Sequence, residues 1–368
     1  MFDIKAATEK LINGCIITAD NGTKMYTPDG VASYAAFWTR DFSYMVENAK
    51  EFIPNEDIEK GIQYLIDGAN SDGWIPDRVE KDGCAKYTAG GGLPASPNLD
   101  NGCFLCFLAN EYLITLDKEI AKEKFFKWKD ALQKGIDCLP VAKNGLIVNN
   151  ANPPHSPYGF TDTVSKTGYL AFESLLLWQA QKIMCFWLQK YGFSADKYEK
   201  NYKLIEKNFA HTFIQQNGML KASTGLCAQT DIWASCYVVS IGFPLSLTSK
   251  KKIAKWLKDN YETITESGQI RHLPQGEYWE KTFLFVEKET YQNGAFWAVP
   301  TKWFCDAIAV SYKELALKTL RDVLDYFERY GVFECINGRL RKLESYVASA
   351  TNVYAACKKW DLIASEDK

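Results

Sequence analysis

The segment Tyr158-Gly-Phe-Thr-Asp162-Thr-Val-Ser-Lys166-Thr-Gly168 leads directly into an apolar run from Tyr169 to Met184. Apolar residues in this run recur near i, i+3, i+4 and i+7, which predicts a helix that is buried over most of its surface rather than a strand. Upstream, three prolines between Pro153 and Pro157 are incompatible with regular structure. Asp162 is therefore predicted to lie on a rigid rim, where a loop becomes a core helix.

The carboxyl group of Asp162 has two interpretations. Three neighbouring aromatic residues, Tyr158, Phe160 and Tyr169, would shield it from water and raise its pKa, as a general acid working near neutral pH requires. The alternative is a turn residue or helix N-cap, a common place for aspartate. This segment alone leaves both interpretations open.

The rest of the chain has a helical pattern. Helices are predicted at about 3–14, 33–52, 56–69, 100–116, 120–141, 168–191, 195–214, 229–241, 249–262, 293–312, 314–330 and 349–358. No segment has the sustained alternation of a strand, although 145–148 and 268–273 are candidates for short extended pieces. Apolar helices alternate with amphipathic ones, which indicates an inner layer wrapped by an outer layer.

No linker-like shift in composition interrupts this pattern. We therefore predict an all-α fold, organised as one domain over residues 1–368 in which paired helices form a toroid. A two-lobed helical bundle is the alternative.

The composition is that of a globular protein, with 368 residues, 47% hydrophobic and 24% charged. Aromatic residues reach 14%, which suits a cleft where ring faces stack on sugars, although a large helical core would also use them. Because the formal net charge is -2 and the lysines are scattered, the sequence favours neither nucleic acid nor an anionic membrane as partner. The amino terminus has no apolar signal-peptide core, so we expect a cytoplasmic protein.

The cysteines number 11 and have no framework spacing, which predicts free thiols. Cys103 and Cys106 have the spacing of a redox or zinc pair, but they lie in an apolar helical run without a second pair. We expect no metal site.

Polar residues beside aromatic ones mark candidate sugar-binding loops. In Phe37-Trp38-Thr39-Arg40-Asp41, a guanidinium and a carboxylate beside an indole ring would hydrogen-bond vicinal hydroxyls. A structural ion pair is the alternative for this motif. Asp100, within Asn98-Leu-Asp100-Asn101, has the alternative of capping the next helix.

Towards the carboxyl terminus, the segment Tyr291-Gln292-Asn293-Gly294 leads to Trp297, and Glu334 follows Phe333. Glu334 is predicted at a loop end, where the phenyl ring would desolvate it, and is our candidate partner for Asp162. Its alternative is an ordinary surface glutamate. Glu344, also predicted in a loop near an aromatic residue, is a second candidate for the same role.

In order and spacing, these segments resemble the six-hairpin glycosidases, the superfamily of glucoamylases, glycogen debranching enzymes, trehalases and processing α-glucosidases. Phe37 to Asp41 is similar to the element that lines the subsite for the nonreducing sugar. Phe160-Thr161-Asp162, with Lys166 and Glu173, resembles the segment in which the aspartate is the general acid and a later helical glutamate binds substrate. The resemblance covers nearly the whole chain.

Two further segments carry the resemblance. Tyr291 to Gly294, with Trp297, is similar to the Tyr-x-Asn-Gly element at the sugar site, and Glu334 to Gly338 resembles the segment holding the catalytic base. We expect no extra β-domain of the kind that many relatives have, and Lys166 stands where an arginine is more usual.

The resemblance implies an (α/α)6 toroid and an inverting hydrolase that acts on an α-linked oligosaccharide or glycoside, with no metal or organic cofactor. Asp162 would protonate the leaving oxygen while Glu334 activates a water on the opposite face of the sugar. The implied substrate-binding residues are Trp38, Arg40, Asp41, Asp100, Lys166, Glu173, Tyr291, Gln292, Asn293, Trp297 and Glu344. The alternatives are a phosphorylase or an unsaturated-uronyl hydrolase on the same toroid, or a non-catalytic carbohydrate-binding protein.

Overall fold

The computed structural model describes residues 2–88 and 90–363. Thirteen α-helices account for most of the regular structure in these ranges. They are α1 Ile4–Gly14, α2 Thr39–Ala49, α3 Asn55–Asp67, α4 Asn101–Leu113, α5 Lys118–Asp137, α6 Ala171–Lys190, α7 Asp196–Phe213, α8 Ile232–Ser240, α9 Leu247–Asp259, α10 Tyr261–Ile264, α11 Thr301–Ile308, α12 Lys313–Tyr330 and α13 Val347–Lys359. Short 3-10 helices lie at Lys50–Phe52 and Gly159–Thr161.

Twelve short strands complete the described structure. They are β1 Ile16–Thr18, β2 Lys24–Tyr26, β3 Phe37–Trp38, β4 Arg78–Val79, β5 Ala85–Lys86, β6 Val148–Asn149, β7 Gly168–Tyr169, β8 Thr265–Glu266, β9 Gln269–Arg271, β10 Phe296–Trp297, β11 Phe333–Asn337 and β12 Leu340–Glu344. The largest sheet has the order β12-β11-β10-β9-β8, and β3-β4-β5 form a second sheet. The neighbouring strands pair antiparallel.

The helices form two layers, as their sequences predict. Helices α2, α4, α6, α8, α11 and α13 contact one another in that order, and α13 also contacts α2. The other long helices lie against members of this series: α1 against α13, α3 and α5 against α4, α7 against α6, and α9 and α12 against α11. Nearly every residue of α4 and α13 is buried, whereas α7 and α12 bury one face.

Helix starts follow local sequence at several points. The side chains of Asp3, Asp231 and Ser246 cap α1, α8 and α9 by accepting hydrogen bonds from backbone amides. Such caps satisfy amides that have no partner within the helix.

The all-α prediction underestimates the strands: the expected extended piece 268–273 contains β9 and the piece 145–148 reaches the first residue of β6, but the other strands are missed. β11 is buried along almost all of its length, so it lacks the alternation of buried and exposed residues by which a strand is recognised in sequence. The hairpin from β11 to β12 turns through Gly338, whose φ of 56° suits glycine.

Two helices are predicted too long at their amino-terminal ends. The helix expected at 293–312 begins at Thr301, because Phe296 and Trp297 pair with β9 and Pro300 occupies the cap. The helix expected at 33–52 begins at Thr39, because Phe37 and Trp38 pair with β4.

Most buried hydrophobic residues between Ile4 and Cys357 belong to one connected core cluster, and a second, small cluster consists of Val164, Ala222, Cys227, Leu273 and Trp279. The organisation as one domain stays a prediction, and its residues 1, 89 and 364–368 lie outside the described ranges. No helix in the described ranges is long and apolar enough to cross a membrane. Cys103 and Cys106 are free and buried within α4.

Candidate active site

One cavity of about 200 Å³ gathers residues from distant parts of the chain. Its walls include the predicted site residues Trp38, Arg40, Asp41, Asp162, Tyr291 and Glu334. Tyr34, Phe160, Thr163 and Tyr346 also line it. The two carboxyl groups chosen from sequence as a catalytic pair therefore face the same space.

Asp162 lies in a turn, immediately after the 3-10 helix Gly159–Thr161. It does not cap α6, whose N-cap residue is Leu170, so the N-cap interpretation is wrong. Gln292 Nε2 donates a hydrogen bond to Asp162 Oδ1 at 2.8 Å. Burial raises the pKa of Asp162 to about 6, against the opposing effects of this hydrogen bond and of the Arg40 charge.

Gln292 holds the turn that contains Asp162 through both polar atoms of its side-chain amide. While its Nε2 holds Asp162, its Oε1 accepts hydrogen bonds from the backbone amide of Thr163 at 3.0 Å and from the Thr163 hydroxyl at 2.6 Å. Gln292 is buried and is not part of the cavity wall. The sequence predicts that Gln292 binds sugar, whereas in the structure its side-chain amide binds the candidate acid, Asp162.

Asn293 and Trp297 also hold backbone rather than line the cavity. Asn293 accepts a hydrogen bond from the amide of Trp279 and donates one to the carbonyl of Val286. Trp297 Nε1 donates to the carbonyl oxygen of Tyr291 at 3.2 Å, which fixes the backbone behind the Tyr291 ring.

Glu334 lies on strand β11, rather than at the predicted loop end, and only 1% of it is exposed. The Tyr34 hydroxyl donates a hydrogen bond to its Oε1 at 3.2 Å. Lys342 Nζ lies 3.2 Å from Oε2, but that oxygen has no partner of hydrogen-bonding geometry among the described residues. Burial raises the pKa of Glu334 to about 7, although Lys342 and Tyr34 act in the opposite direction.

Glu344, the second candidate for the base, ends strand β12 and is exposed. It does not line the cavity and lies instead beside Gly331. Of the two glutamates, only Glu334 therefore shares the cavity wall with Asp162, and the contact of Glu344 with substrate stays a prediction.

Arg40 is held by two buried carboxylates. Its guanidinium lies 3.0 Å from Asp100 Oδ2 and 3.5 Å from Asp77 Oδ1. Asp100 Oδ2 also accepts a hydrogen bond from the amide of Gly159 at 2.8 Å. Asp100 occupies the N-cap position of α4 but makes no side-chain cap hydrogen bond, and it stands behind the cavity wall.

Asp41, next to Arg40 in α2, points to the cavity with a different partner. The Tyr346 hydroxyl donates to Asp41 Oδ1 at 2.9 Å. Burial raises the pKa of Asp41, and the neighbouring Arg40 charge opposes this. The ion-pair interpretation thus fits Arg40 with Asp77 and Asp100 as partners, while Asp41 is available to a ligand.

Lys166 and Glu173 support the Asp162 turn from inside the protein. Lys166 Nζ donates to Thr161 Oγ1 at 2.9 Å and lies 3.9 Å from Glu173 Oε1. Glu173 Oε1 accepts a hydrogen bond from the amide of Tyr158 at 2.7 Å. Both side chains are almost fully buried and do not line the cavity, in contrast to their predicted contact with substrate.

Sequence reasoning did not single out Tyr34 and Tyr346, which reach Glu334 and Asp41. Tyr34 is presented by a loop that the Asp29 carboxylate organises, since Asp29 accepts hydrogen bonds from the amides of Val31, Ser33 and Tyr34. The dipeptide Asp29-Gly30 is a turn signal that would have located this loop.

No protein-family model matches the sequence, and no curated protein matches it. The fold, however, is similar to solved structures. A mannosylglycerate hydrolase from Thermus thermophilus in complex with glucose has a TM-score of 0.70 at 13% identity, covering 96% of this chain and 99% of that chain. Glucoamylase from Saccharomycopsis fibuligera has a TM-score of 0.66 at 11% identity, covering 99% and 95%.

A rhamnosidase from Klebsiella oxytoca with rhamnose bound has a TM-score of 0.67 at 12% identity, covering 98% of this chain and 63% of that chain. These are structures of the six-hairpin glycosidase superfamily. The resemblance inferred from the sequence motifs is therefore confirmed at the level of the fold.

Proposed function

We propose that this protein is a glycoside hydrolase. The observation that carries the proposal is the placement of Asp162 and Glu334 in the wall of one cavity, each with a raised pKa. Carboxyl pairs that flank a glycosidic bond are the usual machinery of such enzymes. Aromatic side chains of Tyr34, Trp38 and Tyr291 in the same wall suit a sugar ring.

The reaction is inverting, with Asp162 as acid and Glu334 as base. Asp162 Oδ1 is occupied by the Gln292 amide, so Oδ2 is the oxygen that would carry the proton to the leaving group. Glu334 is surrounded by donors, Tyr34 and Lys342, which suit an ionised carboxylate. An inverting pair needs a gap of roughly 6.5–9.5 Å between its carboxyl groups to admit the water.

The pKa values add a constraint on this assignment. Burial raises the pKa of Asp162 to about 6 and that of Glu334 to about 7, so the two carboxyl groups titrate in overlapping pH ranges. The roles must therefore be tested by the leaving group, since a pH profile reports the pair and not its members.

The charges of the cavity favour a neutral sugar. Asp41, Asp162 and Glu334 line it, while the guanidinium of Arg40 is already neutralised by Asp77 and Asp100 behind it. An unsaturated-uronyl hydrolase needs a free cation for the substrate carboxylate, and a phosphorylase needs an anion site for phosphate. This distribution of charge supports hydrolysis of a neutral glycoside over either alternative.

Two polar groups are free to orient the sugar. Trp38 Nε1 is a buried donor with no partner among residues 2–88 and 90–363, and a sugar oxygen would satisfy it. Asp41 accepts from Tyr346 through one oxygen and would accept from a sugar hydroxyl through the other.

We further propose that the helices close into an (α/α)6 toroid. The series of contacts from α2 through α13 and back to α2 supports closure. The substrate class that we propose is an α-linked oligosaccharide or other glycoside; glucose, glycerate and rhamnose are bound in similar solved structures, which supports a glycoside. Site residues then come from the first turn of α2, from strand β11 and from the loops that carry Tyr34, Asp162 and Tyr291.

The test is hydrolysis of a panel of aryl glycosides and α-linked disaccharides, with the product anomer followed by proton NMR. We expect turnover of at least one neutral glycoside, with the first-formed sugar inverted at the anomeric carbon. Sugar binding without turnover across the panel would favour the non-catalytic alternative. Turnover that requires added phosphate would identify a phosphorylase.

A further inference from the structure

The charge environment of Glu334 contains a contact that the proposed pair does not account for. Lys342, on strand β12, extends its ammonium to within 3.2 Å of Glu334 Oε2. The same ammonium lies 3.1 Å from the centre of the Tyr291 ring. One lysine therefore joins the candidate base to an aromatic residue of the cavity wall.

The contact with Tyr291 holds the ammonium in place. A cation over the face of an aromatic ring is attracted by the negative charge of the ring face. The ring in turn is anchored, because the carbonyl oxygen of Tyr291 accepts a hydrogen bond from Trp297 Nε1. The Lys342 side chain is 37% exposed, so its charge keeps contact with solvent.

Glu334 needs a cation if it is to work as a base. It is buried, and the nearby Asp41 carboxylate disfavours a second negative charge. The titratable or charged groups around it come from several elements: Tyr34 from the loop before β3, Asp41 from α2, Tyr291 from the loop before β10, Lys342 from β12 and Tyr346 from the start of α13. Among these, Lys342 has the largest effect opposing burial.

We propose that Lys342 is a positioning residue for the reaction, whose ammonium, 3.2 Å from Glu334 Oε2, keeps the Glu334 carboxyl group ionised so that it can accept a proton from the attacking water. This inference rests on the proposed function for its consequence in catalysis. Its physical content, the effect of Lys342 on Glu334, does not require activity.

The experiment compares Lys342→Met, Lys342→Arg and the control Lys288→Met. Lys288 also lies over a tyrosine ring, 4.7 Å from the centre of the Tyr278 ring, but it is outside the cavity wall. The Glu334 carboxyl carbon is observed by 13C NMR in the full chain and assigned by its loss in Glu334→Gln. We expect its titration midpoint to rise by about one pH unit or more in Lys342→Met, as expected for loss of an opposite charge within about 4–6 Å.

Lys342→Arg and Lys288→Met should titrate within about 0.3 unit of the parent protein. With an active substrate, kcat/KM of Lys342→Met should fall below that of the parent protein at pH values where Glu334 becomes protonated, and the limb of the pH profile that reports Glu334 should move upward. Lys342→Gln replaces Lys342→Met in the comparison if the methionine variant does not fold.

An unchanged Glu334 titration in Lys342→Met would overturn the proposal, as would an equal shift in Lys288→Met. Failure of the parent protein to hydrolyse any glycoside would instead reject the proposed function. The NMR titration separates the two results, because it measures Glu334 without substrate.

Discussion

Asp162 and Glu334 line the same cavity, but different kinds of structure hold them. Asp162 is in an irregular turn, where the neutral amide of Gln292 holds one oxygen. Glu334 is on a strand inside a sheet, with a hydroxyl and an ammonium beside it. Burial raises the pKa of both carboxyl groups. What differs is the set of neighbouring groups, which determines the charge state that each carboxyl group favours.

The largest expected effect comes from removing either carboxyl. Asp162→Asn and Glu334→Gln should each lower kcat by roughly 10²–10⁴-fold, the usual contribution of a general acid or base. Both variants should keep the fold and sugar binding, since an amide has nearly the same shape. Steady-state kinetics and calorimetric binding of the product sugar check this.

The matched control is Glu344→Gln, the exposed glutamate on the neighbouring strand β12. Its kcat should equal that of the parent protein. A loss of kcat in Glu344→Gln as large as that in Glu334→Gln would reverse the assignment of the base.

The next effect concerns sugar binding beside the pair. Asp41→Asn should lose about 1.5–3 kcal/mol in kcat/KM, the value of a hydrogen bond to a charged group. The fold should persist, because an asparagine oxygen still accepts from the Tyr346 hydroxyl. Kinetics with a neutral glycoside measure the loss.

Asp57→Asn is the matched control, since Asp57 is also a buried aspartate that accepts from a tyrosine hydroxyl, that of Tyr26, but it does not line the cavity. Its kcat/KM should be that of the parent protein. Equal losses in the two variants would mean that Asp41 acts only through stability.

A steric test concerns the turn that carries Asp162 and not the strand that carries Glu334. A Cβ added at Gly159 would overlap the guanidinium of Arg40, so Gly159→Ala should lower the free energy of unfolding by roughly 1–3 kcal/mol, as overpacking does. It should also lower activity, because Gly159 begins the 3-10 helix Gly159–Thr161, which Asp162 directly follows. Denaturant unfolding and kinetics of the same protein check both.

Gly14→Ala is the comparison, because a Cβ at Gly14 meets no atom within 4 Å. It should change stability by less than about 1 kcal/mol, in the stabilising direction. If Gly159→Ala were equally harmless, the close approach of Arg40 to the turn would be refuted.

The smallest expected effect is the position of the pH optimum. Below about pH 6 both carboxyl groups gain protons and the base is lost; above about pH 7 both lose protons and the acid is lost. A profile of kcat/KM should therefore be a bell with limbs near these values. A flat profile between about pH 4 and about pH 9 would show that neither group titrates in catalysis.

Folding stability should report the same carboxyl groups. Because the folded-state pKa of Glu334 is raised, its contribution is present below its unfolded value of 4.5 and is lost as the pH rises through about 7. The free energy of unfolding should therefore fall less steeply with rising pH in Glu334→Gln than in the parent. Identical pH dependence in the two proteins would contradict the raised pKa.

The sequence predicted the helical layers and the cavity carboxylates because these depend on local patterns. The buried face of α6 follows from its apolar periodicity. Asp162 lies two residues after Phe160, and Glu334 directly follows Phe333. The sequence could not separate residues that touch a ligand from those that support them. Gln292 and Lys166 resemble sugar-binding side chains, yet their polar atoms are used by the turn at 158–163.

Other misses have a similar cause. β11 is buried on both faces, so its pattern is not that of a half-exposed strand. Tyr34 gains its role from Glu334, a residue far along the chain, and from a loop whose shape depends on the Asp29 carboxylate. Such contacts exist only after folding and leave no periodic signal.

The central claim is that Asp162 is the acid and Glu334 the base, and the dependence of each variant on the leaving group tests it most directly. Kinetics on aryl glycosides with phenols of graded acidity should show that Asp162→Asn is least impaired on the best leaving group, which needs little protonation. Glu334→Gln should be impaired equally on all of them. The reverse pattern, with Glu334→Gln recovering on good leaving groups and Asp162→Asn uniformly impaired, would contradict the assignment.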